Sequence, residues 1–478
     1  MELRKNQQLD VTVESFGAQG EGVAKWNGMP IFIPCALPGE QIRVHIVKTE
    51  KRFAFGKIAE ILQPSPSRVT PPCPYYSQCG GCSCQHMTYD AQLEFKRMQV
   101  ENCMRHIAML DVPVLPVLGM DDPWHYRNKI SMPVSGTSEA PLIGYYASRS
   151  HRVIDVNHCM TASEASDRVF SVVRRWMKAE KIAPYQEETH RGLIRHVMVR
   201  ESRKGEIMAV MIINARQLPH ADSLLSMLRR DVPKLVSLCV SPNEKKGNVI
   251  LGDEYTVLWG KERLEDELCG NRFSLSPLSF FQINPTQTEK LYRTALDFAG
   301  LDKGKTAADL YCGAGTISLL LAGKADHVTG VEIVPDAIRD ARVNAKANGV
   351  NNVDYICGAA ETVMPELVRK GMRPDVVVLD PPRKGAESSV LQAILQCAPE
   401  KVVYVSCNPA TQARDCRILC DGGYHAVCCQ PVDMFCQTSN VETVVCLSNK
   451  NAKPKDYVEI GVDAEDYYRI KGSGKGSK

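Results

Sequence analysis

The sequence has no apolar run of the roughly 18 residues that a membrane-spanning helix needs, so we expect no membrane segment. Its first ten residues also contain neither the apolar region nor the cleavage site of a secretory signal. Neither sign of charge dominates, since 58 Lys and Arg oppose 55 Asp and Glu. A net charge of +3 excludes histone-like binding through the overall field, and any polyanion must be held by local basic patches. We expect a cytoplasmic protein.

Aromatic residues are scarce, at 6% of the chain, but 44% hydrophobic and 24% charged residues are ordinary for a globular protein. This composition excludes collagen-like, coiled-coil and wholly disordered chains. The 478 residues exceed the roughly 250 to 300 at which a single core stops growing, so we expect two or three domains. Cysteine, by contrast, is abundant: a reducing cytosol keeps most of the 19 thiols free, so clustered cysteines indicate metal binding or catalysis.

Residues 1–62 contain four short β-branched runs separated by glycines, which predicts a small all-β, OB-like barrel. The segment from Lys48 to Phe55 places basic residues before two phenylalanines. It suits phosphate contact with base stacking on RNA, or equally a solvated hairpin tip with Phe side chains in the core. A proline-rich linker follows, and we expect a central, mainly β domain with a cysteine cluster at 63–270. A helix is predicted from about Asp90 to Met109.

Residues 271–450 alternate strand-like and helix-like segments, which predicts an α/β domain with a mixed, doubly wound, Rossmann-like sheet. A flexible basic tail is expected at 451–478. Within the α/β domain, the loop Asp309–Thr316 follows an apolar strand and opens a helix. It lacks the third glycine of a dinucleotide fingerprint, and Glu332 ends the next strand, where a carboxylate can bind a ribose. The pattern is typical of S-adenosylmethionine (SAM) sites.

Two later strand ends agree with this placement of the ligand, and the thiol at the second indicates covalent chemistry. One is Asp380-Pro-Pro, and the other carries Cys407. C5 of uracil is too poor a nucleophile to take a methyl group unaided, so a thiolate first adds to C6 and creates an enolate at C5. A base must afterwards remove the C5 proton, and Glu442 lies in a late strand that can supply it.

These motifs resemble the RNA uracil-5 methyltransferases, the group that includes RumA and TrmA. The resemblance spans residues 1 to about 450 and rests on four segments: Ser279–Asn284, Asp309–Gly315, Asp380–Arg383 and Ser406–Pro409. It implies that Cys407 is the nucleophile, that Glu442 is the general base, and that SAM is bound by Gln282, Tyr311, Glu332 and Asp380. Many relatives carry His two residues before the base, where this chain has Asn440.

The N-terminal barrel resembles the TRAM domain of RumA-like members, which favours 23S ribosomal RNA as the substrate. Separately, we expect a monomer. A tRNA uracil-5 methyltransferase is the alternative, because some RumA-like relatives modify tRNA. An RNA cytosine-5 methyltransferase is disfavoured, since Arg383 follows Asp380-Pro-Pro. A radical SAM enzyme is disfavoured by the five residues between Cys73 and Cys79. An RNA-binding module in which Cys407 is idle is the remaining class.

Cys73, Cys79 and Cys82 are spaced closely enough to surround one ion or cluster. The resemblance implies a 4Fe-4S cluster whose fourth ligand is Cys159. Zinc is the alternative, because Cys84 and His86 lie nearby and zinc accepts mixed Cys/His sets.

The segment from His125 to Lys129 resembles a substrate-binding segment of the family, with Gly144-Tyr145-Tyr146 as its aromatic partner. Arg127 is expected to replace the flipped base or to hold phosphate.

Overall fold

The computed structural model describes residues 3–450, and the predicted basic tail, 451–478, lies outside the described residues. The N-terminal region is a closed five-stranded barrel with the order β1-β2-β3-β5-β4. Apolar side chains alternate along the strands, so one face of each strand fills the barrel core. The strands are β1 (Gln8–Phe16), β2 (Gly22–Trp26), β3 (Met29–Ile33), β4 (Gln41–Thr49) and β5 (Ala54–Gln63). The predicted barrel is confirmed.

The basic and aromatic segment of the barrel forms a surface patch. Phe53 and Phe55 pack with Phe32, their ring centroids 5.4–6.0 Å apart. All three rings are half-buried and lie outside the apolar core, while Lys51 and Arg52 beside them are exposed. Of the two interpretations of this segment, the arrangement favours a surface on which bases can stack.

The central region contains a six-stranded sheet with the order β11-β10-β9-β8-β6-β7. Two of its helices, which the sequence did not predict, bury their apolar faces in the core on one side of this sheet. The elements are α1 (Tyr89–His106), β6 (Lys129–Gly136), β7 (Pro141–Ile143), α2 (Glu164–Ala179), β8 (Ile194–Glu201), β9 (Ile207–Ile213), α3 (Ala221–Asp231), β10 (Leu235–Pro242) and β11 (Thr256–Gly260).

The prediction of a mainly β central region is therefore wrong, because the region also contains the helices α2 and α3. Local signals in the sequence account for α2. Helix α2 begins after Ser163, whose side chain accepts a hydrogen bond from Ser166 N. Its apolar residues recur at helical spacing from Val169 to Met177, but their β-branched members read as a short strand. A hairpin of β12 (Leu264–Leu268) and β13 (Asn271–Leu275) spans the expected domain boundary at residue 270.

The C-terminal region has a seven-stranded sheet with the order β16-β15-β14-β17-β18-β20-β19, in which β20 runs antiparallel to both neighbours. Helices cover both of its faces, and the predicted mixed, doubly wound sheet is confirmed. Its elements are α4 (Pro285–Ala299), β14 (Thr306–Leu310), α5 (Thr316–Ala322), β15 (His327–Glu332), α6 (Pro335–Ala347), β16 (Val353–Cys357), α7 (Ala360–Arg369), β17 (Val376–Leu379), α8 (Ser388–Cys397), β18 (Lys401–Ser406), α9 (Pro409–Asp421), β19 (Tyr424–Val432) and β20 (Glu442–Asn449).

Helix α1 precedes the central sheet in the chain but packs on the C-terminal domain. Val100 and Met104 belong to the core that α8 and α9 form against the seven-stranded sheet. Lys96 of α1 is fully buried against Asp433, which follows β19. The helix that the sequence predicted from about Asp90 is therefore present, and it ties the start of the chain's middle region to the end of the last domain.

Candidate active site

A pocket of about 950 Å³ lies outside the carboxyl ends of the parallel strands of the C-terminal sheet. Ligands in open α/β sheets bind at this position. We call it the strand-end pocket. All six residues predicted to bind SAM or to carry the reaction line it: Gln282, Tyr311, Glu332, Asp380, Cys407 and Glu442. The structure thus brings together groups that are up to 160 positions apart in the sequence.

The glycine loop between β14 and α5 is held by the acidic end of β15. The Glu332 carboxylate accepts hydrogen bonds from Gly313 N at 3.1 Å and from Val334 N at 2.8 Å. Gly315 has a φ of +79°, and a Cβ there would lie 2.4 Å from the Tyr355 hydroxyl oxygen. Tyr311 also adopts a left-handed φ of 66°, and its hydroxyl donates to Glu361 at 3.3 Å. The hydrogen bonds from Glu332 and the lack of space beside Gly315 therefore fix the backbone conformation of the loop.

The floor of the strand-end pocket is rich in carboxylates. Burial raises the pKa of Asp380 to about 6. Burial, and then the charge of Asp380, raises the pKa of Glu442 well above its ordinary value, and Arg383 opposes this. Burial followed by the charges of these two carboxylates also raises the pKa of the Cys407 thiol. A cation bound here would relieve all three groups, because it favours their ionised forms.

Cys407 lies in the turn between β18 and α9. The Asn408 side chain caps α9 by accepting a hydrogen bond from Ala410 N at 3.1 Å, and it donates to Arg383 O at 2.9 Å. The second bond connects the Cys407 turn to the Asp380-Pro-Pro turn at the neighbouring strand end. Cys407 is half-buried and faces the strand-end pocket, so its sulfur is available to a ligand.

The segment 433–437, which we call the strap, was not found from the sequence. It leads from β19 towards Glu442 and places the Phe435 side chain in the strand-end pocket. Each of its five consecutive carbonyls accepts a hydrogen bond from another part of the chain. In order, the donors are Gln287 Nε2, Asn284 Nδ2, Lys96 Nζ, Tyr126 Oη, and the backbone N–H groups of Ser83 and Cys84. Four distant segments therefore fix this wall of the pocket.

The four cysteines predicted to bind a cluster line one small cavity in the central region: Cys73, Cys79, Cys82 and Cys159. Cys84 and His86, the additional ligands of the zinc alternative, do not line it. Cys84 packs with Leu37 and Met87, and His86 Nδ1 lies 2.6 Å from the Tyr76 hydroxyl. Within residues 3–450, no three or more His, Cys, Asp or Glu side chains are grouped as for a metal ion.

Arg127 lies beside this cavity and is surrounded by tyrosines. Its guanidinium carbon is 5.7 Å and 5.8 Å from the ring centroids of Tyr126 and Tyr145, and its Nη1 donates to the Tyr145 hydroxyl at 2.8 Å. Burial raises the pKa values of Cys79 and Cys82, and the positive charge of Arg127 partly opposes this rise. Arg127 thus contacts Tyr126 and Tyr145 and acts on the cysteines through its charge, and its expected contact with a flipped base or a phosphate stays a prediction.

The sheet order, the glycine loop and the acidic end of β15 together define a class of protein, the SAM-dependent methyltransferases. A structure of a Pyrococcus abyssi tRNA (uracil-54, C5)-methyltransferase in complex with S-adenosyl-L-homocysteine is similar over 92% of this chain and 99% of its own, with a TM-score of 0.74 and 28% identity.

The chain belongs to the tRNA (uracil-5-)-methyltransferase family, whose model matches residues 88–450, and a TRAM domain matches residues 2–59. It is thus a SAM-dependent RNA (uracil-5-)-methyltransferase.

Two bacterial relatives, each described as an uncharacterized RNA methyltransferase, cover nearly the whole chain. The protein from Clostridium tetani is 44% identical over 95% of this chain and 99% of its own. The protein from Halalkalibacterium halodurans is 47% identical over 94% of this chain and 98% of its own. Among residues 3–450, no helix combines the length and apolar character of a membrane span.

Proposed function

We propose that this enzyme methylates C5 of a uridine in 23S ribosomal RNA through a covalent adduct between Cys407 and C6 of the base. The observation that carries the proposal is the shared pocket: Cys407 and Glu442 line the same cavity as the glycine loop and Glu332. A nucleophile, a carboxylate and a methyl-donor site are thereby within reach of one bound base.

The reaction needs four steps, namely addition, methyl transfer, proton removal and elimination, and the pocket has a group for each step that the protein carries out. The Cys407 thiolate adds to C6, and the electron pair of the C5–C6 double bond forms an enolate. C5 then attacks the methyl carbon of SAM, whose carbon–sulfur bond breaks to leave S-adenosylhomocysteine. The Glu442 carboxylate removes the C5 proton, and the returning electron pair re-forms the double bond while the Cys407 thiolate leaves.

The charges in the strand-end pocket connect the ionisation of Cys407 to the binding of SAM. Without ligands, burial and the neighbouring carboxylates keep Cys407 protonated, since they raise its pKa. SAM brings a positively charged sulfonium, which favours ionised forms of Asp380, Glu442 and Cys407. We infer that the nucleophile becomes reactive when the methyl donor is in place. Glu332 is at the strand end where a carboxylate binds the ribose hydroxyls of such a donor.

The test is covalent trapping on RNA that contains 5-fluorouridine, which has no C5 proton for Glu442 to remove. With SAM present, we expect wild-type protein and a 23S rRNA transcript to form a complex that survives denaturation. Cys407→Ala should form none, and Cys357→Ala, which changes an exposed thiol outside the strand-end pocket, should trap like wild type. Absence of trapping by the wild type, or trapping by Cys407→Ala, refutes the proposal.

A tRNA substrate is the second candidate, and one comparison favours it. The Pyrococcus abyssi tRNA (uracil-54, C5)-methyltransferase is similar over 92% of this chain, so the similarity must extend into the barrel. A barrel of this kind therefore does not by itself indicate ribosomal RNA. Parallel trapping with 23S rRNA and tRNA transcripts, followed by nucleoside analysis of the products, separates the two substrates and also detects 5-methylcytidine.

We propose further that Cys73, Cys79, Cys82 and Cys159 hold a 4Fe-4S cluster. Their thiols line one cavity, Arg127 places a positive charge beside them, and Gly81 N donates to Cys79 Sγ at 3.4 Å. Such a cluster would cross-link the segment that carries Cys73, Cys79 and Cys82 to the segment that carries Cys159. It would also hold the residues directly after Cys82, whose backbone N–H groups donate hydrogen bonds to the strap.

Iron, sulfide and zinc analysis tests the cluster, with Cys159→Ser as the variant and Cys84→Ser as its matched control. We expect iron and sulfide in the wild type and in the control, and loss of both in Cys159→Ser. Stoichiometric zinc without sulfide contradicts the proposal.

A further inference from the structure

A second cavity, of about 400 Å³, lies in the central region at the start of β8, and the proposed reaction does not use it. We call it the central pocket. Aromatic and ionisable side chains line it, among them Tyr146, His151, Tyr185, Glu187 and His196. Tyr145, the neighbour of Tyr146, instead faces the cysteine cavity.

The walls of the central pocket offer flat rings and a carboxylate. The ring centroids of Tyr146 and His151 are 5.5 Å apart, and Arg195 stacks over Tyr185 at 4.5 Å. The Glu187 carboxylate lies 2.9 Å from His151 Nδ1 and accepts a hydrogen bond from the Tyr146 hydroxyl at 3.4 Å. Rings of this kind bind the face of a nucleobase, and a carboxylate accepts from the exocyclic amino group of adenine, guanine or cytosine.

His196 provides an independent sign of a ligand. The residue is 9% exposed, it lines the central pocket, and its Nδ1 has no hydrogen-bond partner among the described residues. Burial, and then the charge of Arg195, lowers the pKa of His196 to about 4, so the ring is neutral near pH 7. A neutral imidazole has one donor and one acceptor. A buried polar atom of this kind usually has a partner, and a base edge in the pocket can supply one.

The central pocket lies close to the strand-end pocket. The loop between β10 and β11 lines the central pocket with residues 247–250 and the strand-end pocket with Asp253. Two residues separate Ile250 from Asp253, so their Cα atoms are at most about 11 Å apart. The two pockets therefore approach each other, at these lining residues, to within the length of about three stacked nucleotides. Val249 and Ile250, on the loop between the pockets, are 65% and 39% exposed although both are apolar.

The sheet gives the two pockets a common face. In the antiparallel pair of β6 and β8, Lys129 lies opposite Arg200, and Pro133 lies opposite His196. Because side chains alternate along a strand, these four residues are on the same face. Arg200 donates to Ser279 O, and Lys129 Nζ lies 5.6 Å from the centre of the Phe280 ring, beside the strand-end pocket. One face of the sheet therefore runs from one pocket to the other.

We propose that the central pocket binds an unpaired nucleobase of the RNA substrate, within about three nucleotides of the methylated uridine. The inference rests on the proposed function, since it requires the target uridine to enter the strand-end pocket. It assigns the enzyme a second base-reading site, in which Tyr146 and His151 supply the stacking surface and Glu187 and His196 contact the base edge.

The test compares Tyr146→Ala and His151→Ala with the matched control Tyr146→Phe, which keeps the ring and loses the hydroxyl. His151 is 71% exposed, so its variant should not perturb folding. Affinity for 23S rRNA and tRNA transcripts is measured by filter binding with S-adenosylhomocysteine present. We expect both alanine variants to bind the preferred transcript roughly 10-fold more weakly, with kcat unchanged, and Tyr146→Phe to match wild type within about twofold.

Abasic substitutions in the RNA identify the bound base. One abasic position within about three nucleotides of the target should weaken wild-type binding by the same roughly 10-fold and should not weaken Tyr146→Ala further. The inference is overturned if both alanine variants bind with the affinity of wild type. It is also overturned if every abasic substitution weakens binding to Tyr146→Ala as much as it weakens binding to wild type. Failure of the proposed function gives a different result, namely no methylated uridine in either transcript with wild-type protein, and the binding comparison still decides the role of the central pocket.

Discussion

Replacing Lys96 by Met tests whether a buried charge holds the strap in place. Lys96 and Asp433 form an ion pair in which both side chains are 0% exposed. Lys96 Nζ also donates to Phe435 O at 3.1 Å, and Asp433 accepts from the Tyr89 hydroxyl at 2.6 Å. Met is similar in length but uncharged, so the variant leaves Asp433 buried with a tyrosine as its remaining side-chain partner.

Breaking a buried ion pair by removing one partner costs about 3–5 kcal/mol. We expect about 3 kcal/mol for Lys96→Met, at the lower end, because Tyr89 still donates to Asp433. Adding Asp433→Asn removes the unpaired charge, so the double variant should be more stable than Lys96→Met. As a control, Lys25→Met breaks an exposed pair with Glu14 and should cost less than about 1 kcal/mol.

Urea denaturation measures the loss of stability, and hydrogen exchange of residues 431–440 measures the strap directly. In Lys96→Met, we expect faster exchange in that segment and a lower rate of methyl transfer, because Phe435 and Glu442 lose their fixed positions. A variant within about 0.5 kcal/mol of wild type, with unchanged exchange in the strap, refutes the argument that this ion pair stabilises the pocket wall.

Two further predictions concern the strand-end pocket. Because the pKa of Cys407 is raised, its alkylation by iodoacetamide in ligand-free protein should be slow at pH 7 and increase as pH rises through and above 9, as the thiolate forms. Glu442→Gln removes a negative neighbour and should move the midpoint to lower pH in peptide-mapped mass spectrometry; an unchanged midpoint would show that the two groups do not interact. Glu332→Gln loses a charged hydrogen-bond acceptor and should weaken SAM binding about 10-fold or more in calorimetry. Asp326→Asn, which changes a carboxylate outside the pocket, should have no effect, and unaltered affinity of Glu332→Gln contradicts its assignment to the ribose.

Local signals account for the parts of the fold that were predicted. The barrel strands alternate in polarity, and the C-terminal strands and helices alternate at regular lengths, so short windows of sequence identified them. The same local signals did not identify α2, because its β-branched residues at helical spacing are also compatible with a short strand. They also predicted a domain boundary at residue 270, which in the structure lies in the turn of a hairpin whose second strand packs on α6.

The candidate site divides in the same way. Four of the predicted residues follow or end parallel strands, whose carboxyl ends meet at one edge, so sequence order was sufficient to group them: Tyr311, Glu332, Asp380 and Cys407. Gln282 lies between β13 and α4, and Glu442 begins the antiparallel β20, so the tertiary structure brings these two residues to the pocket. No local pattern indicates that Lys96 pairs with Asp433, that Arg127 lies among tyrosines, or that Cys84 packs away from the other cysteines. Those contacts depend on how the domains pack.

Strand polarity, glycine turns and reactive side chains are encoded within a few neighbouring residues, so the order of amino acids was enough to predict the barrel, the doubly wound sheet and the candidate reactive groups at its strand ends. Which distant groups share a cavity depends instead on how the chain packs. The strap, the cysteine cavity and the central pocket are each built from segments far apart in the chain, and their contacts form only when burial of the three cores fixes the relative positions of those segments.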